Sequence, residues 1–351
     1  MALFVSSGAA QTGHAITGGL LRLNRLTSLD YSFENPKENI TVYGKTASLL
    51  RDTATPPTVS LSFSYYLLGK LNESNLGFDT NGTTPALASI IGRVKDEKNY
   101  FVYIAPEGDD ADGKTAGPTG NVVGIGNAYI SSYSFEAAVG AFPTASVQVQ
   151  GLNLRSYSST TSQPIPAVDP TTGLNITGAG NTFSIPAIPA PAGSGVAVIR
   201  PGDISVSLAN ITGLVNDIPS AAVQSVSMNF DLNLEGQQAL GSRFDRVKNM
   251  TFPIDVTLQV EVLAGDFINS NLADFLCTTG GYTASVNMRL PNCSGLGTVG
   301  AGFTLKNLSL ESQNWSTTAG SASQTMSLSF LTQIGASGDT SNGLFISGLD
   351  L

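Results

Sequence analysis

Charge is what this chain has least of. Charged residues make up 12% of its 351 positions, about half of the roughly 25% usual in soluble domains. Basic residues are the scarcer kind: 17 Lys and Arg against 26 Asp and Glu leave a formal net charge of −9. A protein that grips nucleic acid by neutralising phosphates needs a surplus of Lys and Arg, so the balance argues against that class. It does not argue against a protein past which nucleic acid slides without sticking. The single histidine, His14, lies in a Gly/Ala/Thr-rich stretch. One histidine speaks against Ser-His-Asp or Cys-His catalysis and rules out a multi-histidine metal site. Two cysteines, Cys277 and Cys293, are no disulfide framework in a chain this long; they read as reduced buried thiols, with pairing as the alternative. The one tryptophan, Trp315, leaves few stacking platforms for sugars and counts against a glycosidase built on paired carboxylates. No run approaches the roughly 18 apolar residues of a membrane-spanning helix. Residues 1–13 lack the basic and apolar regions of a signal peptide.

What is present is a core and a neutral polar surface. Hydrophobic residues are 41% of the chain, enough to fold around, so the surface falls to Ser, Thr, Asn and Gln. That composition suits β-rich assembly proteins, in which subunit contacts replace charged solvent surface. Nine N-x-S/T sequons, among them Asn39, Asn81 and Asn314, follow from that richness. The turn Gly108–Gly113 carries Asp109, Asp110 and Asp112 but fails the EF-hand pattern, with Gly at position 1 and Thr119 at position 12. It reads as a solvated acidic turn. No P-loop, dinucleotide fingerprint, zinc spacing or nucleophile elbow occurs.

An internal duplication organises the rest. At an offset of 197, Ser28 falls on Ser225, Phe33 on Phe230, Gly44 on Gly241, Arg51 on Lys248, Pro56 on Pro253, Leu61 on Leu258 and Phe78 on Phe275. A second block aligns at an offset of 175, placing Ser134 on Ser309 and Glu136 on Glu311, and a third at 177. The first copy is then longer by about 20 residues, an excess assigned to the loop 107–118. Residues 1–156 form the first repeat with an N-terminal arm and 200–351 the second. The Pro/Gly/Ser-rich stretch 157–199 between them reads as an extended linker or surface loop.

Each copy carries four strands of two-residue period. Leu29, Tyr31 and Phe33 match Val226, Met228 and Phe230 in phase. Val59, Leu61, Phe63 and Tyr65 match Val256, Leu258, Val260 and Val262. Tyr133 and Phe135 alternate with polar neighbours, as do Val147 and Val149 in the fourth strand. Further strands are expected at 99–104 and 285–290, and short helices at 67–78, 85–94 and 264–276 with Ser74 or Asp266 as caps. The polar faces of the four-strand sets hold acids and no Lys or Arg. The acids are Asp30, Glu34, Glu136, Asp231, Asp255, Glu261 and Glu311, the candidate functional residues. No cofactor or metal is expected.

Two hairpin–helix–hairpin units with acidic wet faces resemble the phage tail-tube fold. The resemblance is one of pattern, covers both repeats, and implies a mainly β structure of two tandem antiparallel half-barrels. It implies a virion protein of long-tailed phages, with three duplicated chains forming a ring of 24 inner strands. Rings would stack into a tube through which DNA passes unbound, assembled in the host cytoplasm. Partners would be further copies of the chain and tape measure, tail terminator and baseplate proteins; no membrane is involved. A tube-like ring at the baseplate or tail terminus is the neighbouring option, and a β-sandwich adhesin or capsid decoration protein the rival. An adhesin has no reason to exclude cations from one face of every strand.

Overall fold

The computed structural model describes residues 1–6, 19–92, 97–178, 180–190, 198–209, 223–263, 281–292, 297–316 and 325–351. His14, Cys277, Cys293, Asp266 and the helix expected at 264–276 lie outside them. The first copy runs β1 (Ala2–Ser6), β2 (Leu20–Leu23), β3 (Leu26–Glu34), a small hairpin of β4 (Glu38–Ile40) and β5 (Leu50–Asp52), and β6 (Thr58–Tyr66). It continues through the helices α1 (Leu71–Leu76) and α2 (Ala88–Gly92) to β7 (Lys98–Ile104), β8 (Asn121–Ala138), β9 (Thr144–Gly151) and β10 (Asn153–Tyr157). A connector bearing β11 (Gln163–Pro164) and β12 (Thr182–Phe183) follows. The second copy has β13 (Ile204–Ala209), β14 (Val223–Asp231), β15 (Leu234–Gln237), β16 (Val247–Met250) and β17 (Ile254–Leu263). It ends with β18 (Tyr282–Arg289), β19 (Val299–Ser316), β20 (Thr325–Ile334) and β21 (Gly343–Gly348). The protein is mainly β, and the expected alternating strands are all present.

Eight strand segments form one continuous antiparallel inner sheet in the order β3-β6-β9-β8-β14-β17-β20-β19. The copies meet in its middle, where β8 of the first pairs with β14 of the second. β8 and β19 are each 18 residues long and serve two sheets. Their C-terminal halves belong to the inner sheet. Their N-terminal halves pair outward, β8 with β7 and β10, β19 with β18 and β21. Each crosses between sheets at an asparagine with positive φ, 51° at Asn127 and 55° at Asn307. This left-handed conformation is tolerated by Asn more readily than by most side chains. A β-bulge follows in each, skipping Ser131 and Glu311 respectively, and such bulges sharpen the bend.

Registers fix the internal symmetry. Leu29 pairs Phe63 as Val226 pairs Val260, which confirms the offset of 197. The matched asparagines and bulges give an offset of 180 from β8 to β19. Val149 opposes Ile130 as Phe330 opposes Leu310, an offset of 181. The offsets of 175 and 177 are therefore corrected: Glu136 corresponds to Ser316, and Glu311 corresponds to Ser131. Sequence identity of short Ser-rich blocks had outweighed bulge geometry, which no pairwise match of letters encodes. Lys98 opposes Ala128 as Tyr282 opposes Leu308, so β7 and β18 are offset by 184. Most of the first copy's extra length thus falls between β6 and β7, around the helices, rather than in the loop 107–118.

One core runs between the inner and outer sheets through both copies, including Phe63, Tyr133, Phe135, Phe230, Phe303 and Phe330. Phe135 stacks on Phe303 at 4.5 Å, so the copies share core as well as strands. Helix α1 is shorter than expected and has Lys70 at its N-cap without a side-chain cap hydrogen bond, Ser74 lying inside it. Its buried amides hold it instead: Asn72 exchanges hydrogen bonds with the backbone of Asn24, and the Asn75 side chain donates to the Arg22 carbonyl.

The described part of the connector is a surface loop packed against the first copy, the second of the two readings of 157–199. Phe183, Ile185 and Ile188 are buried in a second core with Phe4, Phe101, Tyr103 and Tyr157. Pro166 closes on Gly126 of β8, where a Cβ would strike the connector backbone, and on Gly124, where a Cβ would press on the Tyr157 and Pro166 side chains. Those glycines are needed for close approach. Apolar residues spaced among Pro and Gly bury without helical or strand period, which is why periodicity missed them.

Candidate functional site: the polar face and open edges of the inner sheet

The inner sheet buries one face and leaves the other polar. Cross-strand registers join the residues of this face into rows, polar except at Leu331 in the row across all eight strands. One row crosses all eight strands through Ser28, Ser64, Ser146, Ser134, Asn229, Thr257, Leu331 and Ser309. A neighbouring row passes from Asp30 through Ser62, Gln148 and Ser132 to Asp231. Lys and Arg are absent from all eight inner-sheet segments. Six of the seven acids predicted from sequence fall on this face by register: Asp30, Glu34, Glu136, Asp231, Asp255 and Glu261. The seventh, Glu311, is the extra residue of the β19 bulge and stands outside the alternation. The acids are dispersed rather than gathered. Asp255 accepts a hydrogen bond from the Gln333 amide at 2.9 Å, and Glu261 from Ser225 at 3.2 Å. Among the described residues no group of three His, Cys, Asp or Glu is placed to hold a metal.

The acids of the 107–118 loop are partly neutralised within the fold. Asp112 pairs with Arg22, and Asp109 accepts from Lys114 at 3.0 Å. One carboxyl lies elsewhere, wholly buried beneath the sheet. Glu73 on α1 accepts hydrogen bonds from the hydroxyls of Tyr65 (2.9 Å) and Tyr133 (3.1 Å). Burial pushes its pKa up to about 7 although both hydrogen bonds pull the other way. It faces the core, away from the polar face.

The two ends of the sheet differ from its middle. At the central junction Ser227 opposes Glu136, Met228 opposes Phe135 and Phe230 opposes Tyr133. Met228, Phe230 and Phe135 are each 1% exposed. Tyr133 stacks on Phe230 at 5.6 Å, with Phe78 edge-on to both. The equivalents of Met228 and Phe230 are Tyr31 and Phe33, at the outer edge of β3, and these are 45% and 66% exposed. The equivalent of Phe135 is Trp315, at the outer edge of β19, 54% exposed. Among the described residues β3 pairs with β6 alone, and the strand segment 309–316 of β19 pairs with β20 alone. These edge aromatics escaped the sequence reading. Alternation shows that Tyr31 and Met228 share a phase, but not that only one of them is covered.

Beside the junction, the second copy reaches over the first. The Leu232 amide donates to the Ser131 carbonyl at 2.7 Å. The Lys248 ammonium lies 5.3 Å from the Tyr129 ring centroid and is mostly buried. Burial lowers its pKa, opposed by Asp245 and Glu97. The loop joining β15 and β16 rests on the connector, Ser242 donating to the Pro170 carbonyl at 2.9 Å. At the corresponding place on the second copy is an open groove of about 690 Å³, lined by Gly281, Asn307, Ser309, Gln333, Asp339 and Asn342 among others.

No protein-family model matches this chain and no curated protein is similar to it in sequence. Among solved structures, a chain in the cryo-EM structure of the anti-feeding prophage (AFP) baseplate, 6-fold symmetrised, is similar with a TM-score of 0.29 and 14% identity, covering 47% of this chain and 100% of that one. A likeness of that size carries no argument about fold or function. Among the described residues no helix is long and apolar enough to cross a membrane.

Proposed function

We propose that this protein is a structural subunit that closes head to tail into rings and stacks them, forming the tail tube of a long-tailed phage. The observation that carries the reading is the β8–β14 junction. The two copies join there through edges whose equivalents, β19 and β3, have no further strand beside them among the described residues and lie at opposite ends of the sheet. Repeating the junction between chains places Tyr31 opposite Trp315, Ser32 opposite Asn314 and Phe33 opposite Gln313 of a second copy. The exposed aromatics then become covered as Met228, Phe230 and Phe135 are. Edges that pair with the next subunit also remove the hazard of open strands. Opposite ends of one chain make the contact heterologous, which yields rings when the rotation closes. With eight inner strands per chain, three chains supply 24.

The polar face then lines the channel. Hydroxyls and amides hold water there, and dispersed carboxylates repel phosphate, so DNA meets no cation that would retain it. The reading assigns no catalytic step and no cofactor. Tape measure, terminator and baseplate proteins are the partners it implies.

The test is the assembly state of the purified protein by mass measurement and negative-stain electron microscopy. Rings or tubes with a channel of roughly 20 Å or more, wide enough for a duplex, and three chains per ring are expected. Phe33→Pro should abolish them while leaving the monomer folded: in the junction Leu232 and Gln224 bond to β8, so the alternate residue Phe230 turns its amide the same way, and its equivalent Phe33 is a donor of the outer edge. A stable non-ring oligomer with a fibrous or knob-like outline would contradict the reading and favour an adhesin.

A further inference from the structure

We infer that the groove at Asn307, Ser309, Asp339 and Asn342 is a socket for a second copy of this chain, entered by its residues 35–37 and the guanidinium of Arg51. The inference rests on the head-to-tail reading and adds a second contact beyond the paired strands. It follows from carrying the junction's own geometry to the open end of the sheet.

Within the chain, three features of the second copy dock beside β8. Leu232 leaves β14 and donates its amide to the bulge residue Ser131. Leu234 opens the small hairpin and packs against the core. Lys248, in the returning strand of that hairpin, lies over Tyr129 with Glu97 among the charges acting on it. In the offset of 197, these three correspond to Asn35, Lys37 and Arg51. On the receiving side, Ser131 corresponds to Glu311 and Tyr129 to Ser309 in the offset of 180, and Glu97 to Gly281 in that of 184. Ser309 and Gly281 line the groove. The site that is filled in the first copy is therefore an open groove among the described residues of the second, and the segment that would fill it is exposed on the same molecule. Asn35, Lys37 and Arg51 are all exposed.

The charges agree. The groove's lining contains one acid, Asp339, and no Lys or Arg. Asp339 is held ready to accept a cation: Ser341 and Asn342 donate to its two oxygens at 2.9 and 2.7 Å and lower its pKa. Asp255, bound to the lining Gln333, adds a second negative charge nearby. The entering segment brings Lys37 and Arg51, with Glu34, Glu38 and Asp52 beside them; Glu38 and Asp52 oppose each other across the hairpin. Arg51 replaces the cation–π contact of Lys248 with an ion pair, because the groove offers Ser309 where the first copy offers an aromatic ring. A guanidinium suits that exchange, presenting a planar fork to a fixed carboxylate.

The experiment uses the full chain and three variants, Arg51→Glu, Asp339→Arg and the double exchange. Self-association is read by sedimentation, and the particles by electron microscopy. Each single reversal should raise the concentration needed for half-assembly about tenfold, and the double exchange should restore it to within about threefold, as coupled charge pairs do. Carbodiimide treatment of the assembled wild type should join Lys37 or its hairpin neighbours to Asp339 of another chain. Normal rings with both single variants, or an unrestored double variant with no such cross-link, would overturn the socket while leaving head-to-tail closure intact. Wild-type protein that never assembles, with or without the substitutions, would sink the closure and the socket together.

Discussion

At the scale of single residues, Trp315 is the most useful reporter, because it is the chain's only tryptophan and lies in the end strand β19 of the inner sheet. It is 54% exposed. If Tyr31 of a second copy covers it, its emission should shift to the blue as protein concentration rises through assembly. Trp315→Ala should weaken assembly about thirtyfold, the loss expected for an anchoring aromatic worth about 2 kcal/mol. An unchanged emission maximum in the assembled state would place the tryptophan outside the interface. Glu73 offers a separate test. The folded protein keeps this carboxyl protonated up to about pH 7, whereas an ordinary glutamate loses its proton near 4.5. In that window the folded state binds more protons than the unfolded one, so the group's contribution to stability is greatest below 4.5 and declines as pH rises to 7. Glu73→Gln keeps an acceptor for Tyr65 and Tyr133 and removes the charge. It should flatten the decline and raise stability at pH 8 by at most about 3 kcal/mol. Denaturant melts of both proteins at pH 4.5 and pH 8 measure this; equal pH dependence would refute it.

At the scale of elements, the inner strands were legible because one face is buried and the other wet, which writes a period of two into the sequence. Six of the seven predicted acids fall on the polar face for the same reason. The bulges were not legible. Asn127 and Asn307 carry the bends, yet each is one polar residue in an Asn-rich chain, and the misaligned second block followed from overlooking them. The packing of the connector is illegible in the sequence for a different physical reason. Its core residues Ile165, Phe183, Ile185 and Ile188 are fixed by irregular turns and by the glycines of β8, not by any repeat. Phe183, whose ring lies 4.3 Å from Phe101, should be costly to remove. Phe183→Ala is expected to lower stability by about 3 to 5 kcal/mol, the usual range for a buried Phe, and to make the 157–190 segment a preferred site of limited proteolysis. A loss under about 1 kcal/mol, small for a buried aromatic, would mean that the connector does not stay docked.

At the scale of the whole molecule, the chain contains within itself an example of the contact proposed between chains, the β8–β14 junction. The absence of Lys and Arg from eight strand segments matters only once those segments are seen as one surface, and their registers make them so. Placing cations there should leave assembly intact while changing what the channel does. Ser134→Lys with Asn229→Lys, neighbours across the central junction, should give tubes that retain short DNA duplexes at low salt. Retention should weaken with a log–log slope of about −0.9 per phosphate neutralised. Wild-type tubes should retain none in the same co-sedimentation measurement.

The central claim is tested most directly by electron cryomicroscopy of the assembled protein, at a resolution that traces strands. The account predicts three chains per ring and one continuous inner barrel, with β3 of each chain paired to β19 of the next and Tyr31 beside Trp315. A particle in which β3 pairs with β3 across a twofold axis, or in which both edges face solvent, would contradict it.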